Sequence, residues 1–145
     1  MSNFIETLTN GFTYSGTTFH MLINYGLIVL TLLPLILLSK TEKIKPWHFA
    51  FIFSFLFQIF LWFFPGAEGV SVVWCAMAGF GLMHLLKNRL AITMAKYQLV
   101  GISLFPALIG NVYYAVTFPL ITTIAHVCAV LMGMGLYFLG WRMEN

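Results

Sequence analysis

A serine, two histidines and an asparagine stand inside apolar runs of this chain: Ser71, His126, His20 and Asn24. Together they carry the groups that acyl transfer needs: a hydroxyl, an imidazole to take its proton, and an imidazole plus an amide that can donate hydrogen bonds. A serine hydroxyl is a weak nucleophile until a base removes its proton. The tetrahedral oxyanion that follows needs pre-aimed donors, each worth about 3 kcal/mol in mutational tests. Asn24 lies four residues after His20, one turn along the same helix face.

The elements that must position these groups follow from composition. Of 145 residues, 61% are hydrophobic, 17% aromatic and 8% charged, with a mean hydropathy of +0.94. Soluble domains carry about 25% charged residues, so a soluble fold is excluded. A membrane crossing takes about 20 apolar residues, which makes the chain one integral membrane unit with no separate soluble domain. Five apolar stretches stand out, about 19–38, 47–64, 69–86, 97–116 and 122–140. The expected fold class is all-α, a polytopic bundle of five transmembrane helices with the lipid bilayer as its partner.

An odd number of spans puts the two termini on opposite sides. Lys40, Lys43 and Lys45 follow the first span, Lys87, Arg89 and Lys96 the third, and Arg142 the fifth. All the basic residues then share one side, which the positive-inside rule makes cytoplasmic. The amino terminus faces outward, and the net charge of +3 reads as a topology signal, with no nucleic-acid partner. No Lys or Arg precedes Lys40, so the basic opening of a signal peptide is missing and no removed leader is expected. Cys75 and Cys128 both fall in apolar runs, which argues against a disulfide or a zinc site; no metal or cofactor is expected.

Polar residues inside a bilayer are costly unless paired or facing water. In this topology His20, Asn24, Ser71 and His126 share the outer third, while His48 and His84 lie near the cytoplasmic surface. Small residues recur after Ser71 at Cys75, Ala78 and Gly79, and after His126 at Ala129 and Gly133. Such stripes let membrane helices approach backbone to backbone, as a direct Ser71–His126 hydrogen bond requires.

These residues resemble the rhomboid family of intramembrane serine proteases. The family's His-x-x-x-Asn motif is matched by His20 and Asn24. Its Gly-x-Ser-Gly nucleophile segment resembles Gly69-Val70-Ser71-Val72 and the helix that runs on through Gly79. The final helix has Ala125-His126 with Gly133 seven residues on, as in the family. The resemblance covers about 12–140, with Val72 in place of the second motif glycine and Cys75 where many members carry a tyrosine. It implies a compact, rhomboid-like five-helix core acting as a serine endopeptidase on transmembrane protein substrates near the outer face, in a bacterial inner membrane. Ser71 is then the nucleophile, His126 its base, and the Ser71 N–H, His20 and Asn24 the oxyanion donors. A second frame, Gly66-Ala67-Glu68-Gly69, puts Glu68 at the serine position and implies an inactive relative; the Ser71 frame aligns the following helix through Gly79.

Singly, each residue has a plainer reading: Ser71 bonding a free N–H at a helix start, His126 and Asn24 bonding neighbouring helices. Two other functions stay open. One is a catalytically inactive rhomboid-like protein that binds transmembrane clients. The other is electron transfer by two bis-histidine haem sites, His20 with His126 and His48 with His84.

Overall fold

The computed structural model describes residues 4–13, 18–39, 47–63, 70–88, 94–117 and 119–143, and these residues contain helices and no strand. The helices are α1 (Phe4–Thr13), α2 (Thr18–Ser39), α3 (Trp47–Leu61), α4 (Ser71–Asn88), α5 (Met94–Thr117) and α6 (Leu120–Met143). Helices α2 to α6 coincide, to within a few residues, with the five apolar stretches. Two of them are long and apolar enough to cross a membrane by length and composition, over Thr18–Leu37 and Leu120–Gly140. The apolar segments Trp47–Leu61, Ser71–Lys87 and Leu104–Thr117 are shorter.

The helix α1 has no counterpart in the sequence reading, because ten residues fall far short of a crossing. It is amphipathic and packs by its aromatic residues. The Phe12 ring meets Trp62 edge-on at 4.8 Å, Phe4 stacks on Phe63 at 6.1 Å, and the Tyr25 hydroxyl donates to the Phe12 carbonyl at 3.0 Å.

The central element is α4. Every residue from Val72 to Gly81 is buried, which suits a helix apolar on all sides. Its most extensive partner is α6, and α2, α3 and α5 also pack on it. Near one end Trp74 meets His126; farther along, Phe80 and His84 meet Tyr137. These pairs advance together along both helices, so α4 and α6 run parallel.

A Cβ added at Gly79 would overlap the Val130 carbonyl, and one at Gly133 the Ala76 carbonyl. The two backbones therefore touch at this crossing, which only glycine permits. Ala129 and Cys75 are buried beside it. On α3, Ala50, Ser54 and Gln58 recur every four residues and are buried, while Phe49, Phe53, Phe57 and Phe60 face outward. The Phe-rich helix thus keeps its small and polar residues for its neighbours.

Candidate functional site

The polar residues gather where the heads of α2, α4 and α6 meet the tail of α5. His20 and Asn24 come from α2, Trp74 from α4, Tyr114 from α5 and His126 from α6. Asn24 is 2% exposed, and its Oδ1 accepts from Trp74 Nε1–H at 2.9 Å and from the Tyr114 hydroxyl at 3.2 Å. The Tyr114 hydroxyl is also hydrogen-bonded to His20 Nε2. One phenolic hydroxyl thereby links both members of the His-x-x-x-Asn pair. A single proton can go to only one of them; when it goes to Asn24, His20 donates to the phenol oxygen.

His126 occupies the middle of three rings. Tyr114 lies 4.6 Å from it and Trp74 5.6 Å, both edge-on, and Trp74 and Tyr114 are 6.2 Å apart. The His126 side chain is 2% exposed, and neither Nδ1 nor Nε2 has a hydrogen-bond partner. The resemblance left the support of this ring to small residues around Cys75, since no Asp or suitably placed Glu is there to orient it. The ring is held instead by the aromatic residues Trp74 and Tyr114, and the Cys75 thiol donates to Asn111 Oδ1 at 3.7 Å.

Ser71 is the first residue of α4 and is half-buried. It lies one turn before Trp74, the residue that touches His126. The structure thus brings His20, Asn24 and His126 together around Tyr114 and places Ser71 at the same end of the bundle. The hydrogen bond between Ser71 and His126 is not made, since both ring nitrogens are unpartnered. Gly69 and Glu68 lie outside the described residues. Gly79, Ala129 and Gly133 lie deeper, at the α4–α6 crossing.

Two contributors escaped the sequence reading although their type announced them. Gln58, 2% exposed, accepts the Val72 N–H on its Oε1 at 3.1 Å, immediately after Ser71. Asn111 donates to the Ala107 carbonyl at 3.0 Å and receives the Cys75 thiol. Both are polar residues in apolar runs, the signal that marked Asn24.

A cavity of about 470 Å³ opens between α2 and α5 beside this cluster. Its lining includes His20 and Tyr114, with Phe19, Ile23, Ile109 and Tyr113 among its apolar walls. The site therefore has a greasy approach from the side of the bundle and a polar end. Among the described residues no group of three or more His, Cys, Asp or Glu is placed to hold a metal ion. The Tyr114 ring packs on both His20, at 5.2 Å, and His126, so this histidine pair does not bracket an open slot for a haem. No protein-family model, curated protein or solved structure matches the chain.

Proposed function

We propose that this protein is a rhomboid-like intramembrane serine protease, a five-span bundle with its amino terminus outside and its basic loops in the bacterial cytoplasm. Ser71 Oγ attacks a peptide carbonyl of a transmembrane substrate while His126 takes its proton. His126 then passes that proton to the leaving amine, and water hydrolyses the acyl-enzyme. The Ser71 N–H, His20 and Asn24 hold the oxyanion. The cavity between α2 and α5 gives a substrate helix a lateral approach to this end.

The observation that carries the proposal is the state of His126. A buried polar group without a hydrogen bond costs about 1–3 kcal/mol, and such groups in native proteins call for a reason. Every other polar side chain of the cluster is engaged: Asn24 with Trp74 and Tyr114, and His20 with Tyr114. Among the described residues of this cluster, the imidazole needed as a base is the one that keeps both ring nitrogens uncommitted, and it lies against Trp74, one turn into the helix that begins with Ser71.

The same observation supports a second reading, a rhomboid-like bundle that binds transmembrane clients without cutting them, because the Ser71–His126 hydrogen bond is not formed. A fluorophosphonate probe separates the two. The protease reading expects covalent labelling of the wild-type protein in membranes, and cleavage of a helical transmembrane test substrate, both lost in Ser71→Ala and His126→Ala. A folded wild-type protein that neither labels nor cleaves removes the enzyme and leaves the binder.

A further inference from the structure

We infer that the cavity between α2 and α5 is a binding site for one acyl chain of an outer-leaflet phospholipid, whose ester carbonyl accepts the Tyr114 hydroxyl proton, and that this lipid competes with substrate for the opening; the inference rests on the membrane arrangement and, for the competition, on the protease reading proposed above. The cavity of about 470 Å³ is lined by one stripe of each helix, Phe19, Ile23 and Leu27 on α2 and Pro106, Ile109 and Tyr113 on α5. Residues at this helical spacing form a groove that follows the helix axes for about 10 Å, the direction in which lipid chains lie.

The lip of the groove faces outward. Phe19, Ile23, Ile109 and Tyr113 are exposed, and Leu22 and Val112 continue the same apolar surface beside them. The floor is shut: Leu27 is buried, and a Cβ at Gly110 would lie 3.3 Å from its side chain, so α2 and α5 meet there. The groove therefore opens to the surroundings of the bundle and not through it. A water in a cavity needs about two to four polar partners, and the walls from Ile23 to Leu27 and from Pro106 to Ile109 offer no polar side chain. An empty groove would forfeit dispersion contacts along its whole lining. In a bilayer the material that restores them is the neighbouring hydrocarbon.

The polar end sets which part of the lipid lies where. His20 is the third residue of α2 and Tyr114 the fourth from the end of α5, so both lie within about 5 Å of the helix ends, at the margin of the hydrocarbon where headgroup chemistry begins. An ester carbonyl there accepts and cannot donate. The phenol can serve it without stripping its neighbours: Asn24 Oδ1 keeps the Trp74 Nε1–H at 2.9 Å when the Tyr114 proton turns away, and the phenol oxygen then accepts from a His20 protonated at Nε2. A chain seated in this way closes the lateral approach proposed for a substrate helix.

The test places the full chain in nanodiscs of ester-linked phosphatidylcholine or of its ether-linked analogue, which lacks the carbonyl. Each contains a trace of ester-linked phosphatidylcholine with a diazirine on one chain, and labelled residues are mapped by mass spectrometry after illumination. The ratio of labelling at Ile23 and Ile109 to labelling at the outward Phe53 and Phe57 of α3 is expected to rise about fivefold from the ester to the ether bilayer, the preference one hydrogen bond confers. Tyr114→Phe removes the rise and Tyr113→Phe keeps it. Ile23→Trp, which fills the groove, lowers groove labelling in both bilayers and spares α3; should it fail to fold, the two tyrosine variants still decide. Equal ratios for the wild type in the two bilayers overturn the site, as does a rise that survives Tyr114→Phe. Competition is read separately: KM for a transmembrane substrate falls about twofold or more in the ether bilayer with kcat unchanged, and a constant KM overturns the competition. A wild type that cleaves nothing yet shows the rise loses the protease reading and keeps the lipid site; one that cleaves and shows no rise does the reverse.

Discussion

Gln58 supports the helix that begins with Ser71 from a neighbouring element. Its Oε1 takes the N–H of Val72, a donor that the first turn of a helix cannot satisfy internally. In Gln58→Leu that N–H is buried with no acceptor, at a cost of about 1–3 kcal/mol. The thermal midpoint of the purified protein falls accordingly, while Leu56→Met, on the exposed face of the same helix, leaves it in place; equal midpoints for the two would dismiss the capping role. The sequence made His20, Asn24 and His126 legible because polar atoms in an apolar run stand out by type. Trp74 and Tyr114 did not stand out, since an aromatic ring in such a run reads the same whether it meets lipid or a neighbouring helix. Only packing separates Tyr114, buried against His126, from the adjacent Tyr113, which is exposed.

The contact between α4 and α6 sets how Trp74 meets His126, and two glycines make it possible. Because a Cβ at Gly79 or Gly133 would run into backbone carbonyls, which cannot swing aside as a side chain can, Gly79→Ala and Gly133→Ala must push the helices apart. Both variants are expected to lose about 2 kcal/mol or more of stability, as overpacking of a close contact does, and, on the proposed protease reading, to lose probe labelling of Ser71 with it. At Gly26 and Gly135 nothing lies within 4 Å of the added Cβ, so alanine there is neutral or slightly stabilising through helix propensity. Thermal melting of the four variants checks the contrast; indistinguishable melts would show that the crossing is not tight. The small-residue stripes from Ser71 and His126 were readable from spacing alone. What spacing could not give was which carbonyl each glycine meets, a matter of crossing geometry. The amphipathic α1 was invisible for a different reason: it is held by Phe12 on Trp62 and by Tyr25, contacts between segments that hydropathy treats separately.

At the scale of the whole molecule, the two long apolar helices have only 28% of their apolar windows buried. A core helix of a soluble protein is mostly buried, and soluble monomers rarely expose large contiguous apolar patches. Here Val29, Leu33, Leu37, Phe53, Phe57, Leu108, Val112, Leu131 and Phe138 all face outward, and hydrocarbon is the solvent in which such a surface is stable. From α2 to α6, helices consecutive in the chain alternate in direction: Gln58 meets Val72 across α3 and α4, His20 meets Tyr114 across α2 and α5, and α4 parallels α6. In the proposed five-span arrangement this alternation carries every Lys and Arg to one side and the His20–Tyr114–His126 cluster to the other. Accessibility from each side of the membrane tests that separation directly. In a Cys128→Ala background, Ala67→Cys should react with a membrane-impermeant maleimide added to intact cells, whereas Glu42→Cys and Ile92→Cys should react only after the cells are opened. Reaction of residue 42 or 92 in intact cells would place basic loops outside, invert or break the five-span order, and remove the outward-facing site on which the protease reading depends.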